Sequence, residues 1–283
     1  MQIAAYGAQD VYLTGNPQIT YFKMVYRKHT NFAMEAVPLE FNGDASFGKT
    51  IVCSIPRNGD LLYKMYIKVK FSTKPRALCD LRRLLKSVEL EIGGQRIDKQ
   101  YYTWQAAWHY LTYSGNQKAC LKQMTETISD TTSYYYLPLD FWFNRNPGLA
   151  LPLIALQYHD VRIRVRLEDS TKIYDNAGCA QGTGFHNVTS DNNESVALDT
   201  VELLCDYIYL DIEERRRFAQ ASHEYLIEQV QHTGTREVSV STADTTKSYN
   251  LQFNHPVKEL IWHLSLEDGK SNYAEQANVT GSS

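Results

Sequence analysis

Residues 61–71, Leu-Leu-Tyr-Lys-Met-Tyr-Ile-Lys-Val-Lys-Phe, alternate in character. Tyr63, Met65, Ile67, Val69 and Phe71 fall on one side, and Lys64, Tyr66, Lys68 and Lys70 on the other. Successive side chains of a strand point to opposite faces, so this is a strand with one apolar face and one face rich in lysine. A helix would scatter the same lysines round its axis. Asn58-Gly59-Asp60 supplies a turn just ahead of it.

Working outward, the same period of two recurs. Val161, Ile163, Val165 and Leu167 alternate with Arg162, Arg164, Arg166 and Glu168. Val88, Leu90 and Ile92 alternate with Glu89 and Glu91, and Gly93-Gly94 closes that strand as a hairpin turn into Gln95-Arg96-Ile97. Tyr134–Leu137 forms a strand ending at Pro138, Asn144–Gly148 is a turn cluster, and Val201–Leu210 places Val201, Leu203, Cys205, Tyr207 and Tyr209 on one face. Further strands are expected at Tyr225–Val230, Val238–Ser241, Tyr249–Asn254 and Leu260–Leu266.

Helical signals are few. Leu78, Leu81, Leu84 and Leu85 behind Pro75 predict a short amphipathic helix over Pro75–Lys86, and Trp104 with Trp108 favours helix over Tyr101–Tyr113. Asp211–Gln220 has Glu213-Glu214 ahead of Arg215-Arg216-Arg217, the order a helix dipole favours, and marks a domain boundary. The first forty residues, with Gly7 and Gly15-Asn16-Pro17, read as an irregular arm leading into a strand. Asp169–Thr200 reads as a long polar surface loop. Many short strands with a few helices in their connections define an all-β sandwich of jelly-roll or Greek-key type.

Composition agrees. Tyr 20, Phe 10 and Trp 4 make the chain 12% aromatic, which suits pleated, half-buried surfaces. A hydrophobic share of 43% over 283 residues excludes a disordered or collagenous chain. The formal net charge of −3 gives no basic excess for neutralising phosphates, so direct nucleic-acid binding is not expected. Cys53, Cys79, Cys120, Cys179 and Cys205 include no C-x-x-C pair and suggest neither a zinc site nor a disulfide framework. The opening residues lack a signal-peptide pattern, and the longest apolar run, Leu149–Leu156, is broken by Pro152, so membrane insertion and standard secretion are not expected.

The search for chemistry yields little. Gly182-Thr183-Gly184 lacks the strand–helix context of a phosphate loop, and no nucleophile elbow or His-Glu-x-x-His occurs. His159-Asp160 and His223-Glu224 are neighbours in sequence, which on a strand puts them on opposite faces. Glu89 and Glu91 share a strand face about 7 Å apart, a spacing a glycosidase could use, but a solvated face explains them more simply. The Arg162, Arg164, Arg166 ladder offers an anion or acidic-partner surface, against the simpler reading of a soluble outer face. No catalytic, cofactor or metal residue is assigned. Asn187, Asn193 and Asn278 sit in Asn-x-Ser/Thr sequons and are candidate glycan acceptors, although ordinary secretory glycosylation is not expected.

Several blocks go beyond fold class. Ala5–Lys23 (AYGAQDVYLTGNPQITYFK), Tyr26–Ala33 (YRKHTNFA), Ile55–Leu61 (IPRNGDL), Val88–Asp98 (VELEIGGQRID), Asn146–His159 (NPGLALPLIALQYH), His223–Gln229 (HEYLIEQ) and Phe253–Pro256 (FNHP) resemble the major capsid proteins of nucleocytoplasmic large DNA viruses, especially those of algae. The resemblance implies a viral double jelly roll with short inserted helices. It implies an arm over 1–23, a complete first jelly roll over 24–211, a linker helix over 212–221 and a second jelly roll begun over 222–283. The stretch from Ser222 to Ser283 is too short for eight strands of about five or six residues with their loops, so a partial chain is expected.

The same resemblance implies a structural subunit of an icosahedral capsid, three chains forming a pseudo-hexagonal capsomer, with no enzyme activity and no cofactor. Its partners would be itself, neighbouring capsomers and minor capsid proteins under the shell, in a virion assembled in the host cytoplasm. The arm would lie beneath the shell and the Asp169–Thr200 loop would face outward or reach a trimer neighbour. The alternative is a lectin-like β-sandwich that binds carbohydrate.

Overall fold

The computed structural model describes residues 28–72, 81–125, 134–170, 196–234 and 248–262, with a few positions between Gly7 and Phe22. The chain divides into two compact units, Met1–Asn31 and Phe32–Ser283. In the first, the Tyr12 amide bonds the Gln9 carbonyl at 3.2 Å, closing a single turn. All that follows concerns the second unit.

Among the described residues there are nine strands. They are β1 (Phe32–Glu40), β2 (Thr50–Ile55), β3 (Leu61–Phe71), β4 (Leu85–Ile92), β5 (Gln95–Tyr101), β6 (Tyr135–Pro138), β7 (Leu151–Pro152), β8 (Val161–Leu167) and β9 (Leu198–Leu210). Helices α1 (Tyr102–Thr112) and α2 (Gly115–Thr125) fill the β5–β6 connection, and α3 (Ile212–Gln220) follows β9. One sheet has the order β1-β9-β3-β6, with β7 also against β3, and the other has β2-β8-β4-β5. Every pairing is antiparallel. Apart from the β4–β5 hairpin and the short β7, each connection crosses between the sheets, which is jelly-roll topology. The first sandwich is therefore complete.

Its core is the set of inward positions that the alternation predicts. On β8 burial alternates at every residue, with Val161, Ile163, Val165 and Leu167 buried and the three arginines exposed. Facing them across the sandwich are Met65, Ile67 and Val69 of β3 and Leu203, Cys205 and Tyr207 of β9, all in one cluster. Each such side chain contributes about 1.5–3 kcal/mol on leaving water. Gly93 and Gly94 have φ of +61° and +79°, the left-handed pair a two-residue hairpin turn needs.

Several expectations are corrected. The first forty residues are not irregular throughout, because Phe32–Glu40 is an edge strand paired with β9. Its alternation is weak, since Ala33, Ala36 and Pro38 interrupt it. A register shift between Leu62 and Met65 moves Tyr63 off the core face, where it packs with Leu61 and Ile208 on the outside. The helix over Pro75–Lys86 is, in its described part, a 3-10 turn at Leu81–Leu84 that runs straight into β4 at Leu85. Leu81, Leu84 and Leu85 are all buried in the sandwich, so a helical spacing of leucines here serves a turn and a strand start. Residues 73–80 lie outside the described residues.

The Asp169–Thr200 loop ends earlier than expected, because β9 starts at Leu198, and residues 171–195 lie outside the described ones. Among the described residues Tyr225–Val230 and Tyr249–Asn254 carry strand-like residues but form no ladder, and the same holds for the described part of Leu260–Leu266. A strand needs a neighbour for its N–H and C=O groups, whereas Gln229, Val230 and Asn254 bond to a carbonyl or to side chains outside any ladder. Val238–Ser241 lies outside the described residues.

Candidate functional site

The outer face of the β2-β8-β4-β5 sheet is built from the two charge ladders. Glu89 and Glu91 do share that face, but each is answered by a cation. Lys99 reaches Glu89 at 2.7 Å and Arg164 reaches Glu91 at 3.0 Å. Arg162 pairs with Asp160 at 3.4 Å and Lys86 with Glu168 at 3.1 Å. The register explains this: β4 lies between β8 and β5, so an acidic stripe runs between two basic ones. Two carboxylates neutralised by separate cations make no acid–base pair, and the arginine ladder is partly spent inside its own sheet. His159 lies against Gly93, while His223 donates to the Phe218 carbonyl at 2.7 Å. Among the described residues no three His, Cys, Asp or Glu side chains converge as metal ligands. Asn187, Asn193, Asn278, Cys79 and Cys179 lie outside the described residues.

A buried polar network locks the helical insert to the sandwich. His109 of α1 hydrogen-bonds Asp140, which follows β6, and Arg82 meets its other ring nitrogen at 2.9 Å. The Tyr113 hydroxyl donates to Asp140 at 3.3 Å, and burial with that neighbouring carboxylate pushes the phenol up. Gln100 of β5 donates to the Asp140 carbonyl at 2.9 Å and to Asp98 at 3.1 Å.

A seam runs where the chain leaves the first sandwich. Asp211 caps α3, its side chain accepting from the Ile212 amide. Asp60, 8% exposed, holds the linker from the β2–β3 turn by accepting from the Leu210 amide at 2.8 Å and from Arg215 at 3.0 Å. Phe218 packs against Leu61, Ala150 and Ile208 on the outside of the first sheet. Between this helix and the sandwich lies an apolar groove of about 550 Å³, with Ile92, Trp142 and Leu151 on one wall and Tyr225 and Ile227 on the other. Beyond it, Leu226 is 83% and Trp262 76% exposed, with Leu251, Val257 and Leu260 also open to solvent. Apolar side chains open to solvent are the kind that association with a partner buries. Sequence reasoning missed Asp60, Asp98, His109 and Asp140, because a lone polar residue gives no sign that distant donors will converge on it.

The fold is thus a jelly roll whose outer charges pair with each other and whose exit seam carries exposed apolar groups. The chain belongs to the major capsid protein family of large eukaryotic DNA viruses. The family described as "Major capsid protein N-terminus" matches residues 20–211, and "Large eukaryotic DNA virus major capsid protein" matches 214–283. The major capsid protein of Pyramimonas orientalis virus is 48% identical, the match covering 96% of this chain and 67% of that protein. That of Paramecium bursaria Chlorella virus 1 is 41% identical over 99% of this chain and 63% of its own length. A chain of the solved PBCV-1 virus capsid superposes with a TM-score of 0.61 at 38% identity, covering 75% of this chain and 50% of that one. The chain thus spans about half to two thirds of the proteins it matches.

Proposed function

We propose that this protein is a structural subunit of an icosahedral viral capsid, in which three copies form a pseudo-hexagonal capsomer and capsomers tile the shell. The observation that carries this reading is the pairing of a complete jelly roll with an exit seam whose apolar groups stand open, in a chain of the major capsid protein family. In the proposed division, 1–23 is an arm beneath the shell, 24–211 the first jelly roll, 212–221 a linker helix and 222–283 the start of a second jelly roll. The partners are further copies, neighbouring capsomers and minor capsid proteins under the shell. The subunit acts without catalysis, cofactor, nucleic-acid contact or membrane insertion, and it resides in a virion assembled in the host cytoplasm. No helix among the described residues is long and apolar enough to cross a membrane.

Sedimentation of the purified protein tests the reading. A trimer at micromolar concentration supports it. A stable monomer that is retained by a specific sugar on a glycan array would replace it with the lectin-like alternative.

A further inference from the structure

Among the described residues strand β5 is an edge, paired only with β4. The ladder slips between Leu90, opposite Asp98, and Glu91, opposite Arg96, which leaves Ile97 as the extra residue of a β-bulge. A bulged residue is left out of the ladder and re-aims its neighbours. Both effects are used here. The Ile97 carbonyl accepts a hydrogen bond from the Gln229 side chain. Asp98 is 3% exposed, and its carboxylate collects the Lys99 amide at 2.9 Å, the Gln100 side chain at 3.1 Å and the Val230 amide at 2.9 Å.

The flanking residues are held as specifically. Arg145, its guanidinium 4.2 Å from the centre of the Trp108 ring, binds Glu228, which also binds Lys258. The His232 ring meets Tyr101 edge-on at 4.7 Å. Gln231 then takes the place of a ladder partner for the later segment, accepting from the Asn254 and His255 amides at 2.9 and 3.1 Å.

We propose that the β5 bulge is a socket for residues 228–232 of the same chain, and that Asp98 is the positioning residue that fixes the register in which the chain re-enters after α3. The chemistry selects one register. Asp98 needs a backbone donor, the Ile97 carbonyl needs a side-chain donor, and Arg145 needs a carboxylate. A slip of one residue sets either Glu228, an acceptor, or Val230, which has no polar side chain, against the Ile97 carbonyl. The socket also closes the open edge of β5 by side-chain bonds instead of a ladder, so that edge is withheld from other strands. The inference stands apart from the capsid reading, since it concerns how the two halves of this chain are laid together.

Hydrogen exchange read by mass spectrometry on the full chain tests it. In Asp98→Ala, peptides over 222–234 should exchange about tenfold faster while β8 peptides are unchanged. Asp98→Asn keeps an acceptor oxygen for Val230 and should restore most of the protection. Unchanged protection at 222–234 in Asp98→Ala would overturn the proposal, as would a parallel loss across β8. Should Asp98→Ala fail to fold, Gln229→Glu, which sets an acceptor against the Ile97 carbonyl, must show the same selective loss, and no change there would equally overturn it.

Discussion

His109 and Asp140, thirty-one positions apart, are joined by a buried hydrogen bond that ties helix α1 to the end of β6. Arg82 approaches the other ring nitrogen at 2.9 Å, and a guanidinium can only donate, so Nδ1 accepts and Nε2 carries the proton shared with Asp140. The insert between β5 and β6 is thereby held by polar groups at its inner face, not by apolar packing alone.

Removing the imidazole leaves Asp140 and Arg82 without that partner in a closed site. His109→Ala is expected to cost about 3 kcal/mol. Thermal unfolding should show it as a fall of roughly 5–10 °C in Tm.

Gly59 lies against the fully buried Tyr207, and a Cβ there would sit 2.8 Å from the Tyr207 Cβ. That neighbour is close to the backbone of a central strand, and its hydroxyl is anchored on the Pro56 carbonyl at 2.9 Å, so it has little room to yield. Gly59→Ala is expected to destabilise by about 1–3 kcal/mol in urea titration.

The outer charge ladders predict the opposite. Arg162 and Asp160 are both well exposed, and Arg162→Gln should change stability by less than about 0.5 kcal/mol. Glu89→Gln loses a more enclosed partner and should cost up to about 1 kcal/mol in the same titration.

Burial raises the Cys53 thiol to about 11 and pushes Cys205 up further, whereas Cys120 is exposed. At pH 8 iodoacetamide should modify Cys120 in the native protein and reach Cys53 and Cys205 only in denaturant. Peptide mapping of the labelled sites checks this.

Burial also raises Asp98 above its ordinary value of 3.8, the three hydrogen bonds to it acting in the other direction. The folded state then takes up this proton more readily than the unfolded chain. Its contribution to stability increases as pH falls from the raised value towards 3.8 and is flat above and below that window. The difference in Tm between the protein and Asp98→Asn should therefore shift in favour of the unmutated chain on acidification through that range.

How much of this was legible in the sequence depends on how many faces an element buries. β3 and β8 were plain because nearly all their inward residues are apolar and the opposing face is mostly lysine or arginine, although the register shift that turns Tyr63 outward left no mark in the pattern. β1 was hidden because it is an edge on which only Val37 and Leu39 pack against the core, and those only partly, while the rest of the strand is exposed. Helix α2 escaped because most of its surface is solvated and only Leu121 and Thr125 are buried. The strand-like runs after α3 keep the alternation but find no ladder among the described residues. The sockets at Asp60 and Asp98 were invisible for another reason: Val230 is 132 positions from Asp98, and no local pattern records such a meeting.

The central claim is best tested by a cryo-EM reconstruction of the particle whose genome encodes this chain. The account predicts shell density in which the β1-β9-β3-β6 and β2-β8-β4-β5 sandwich recurs three times in each capsomer, with the seam behind α3 covered by protein. A shell whose density cannot hold this sandwich, or capsomers containing a single copy of it, would contradict the account.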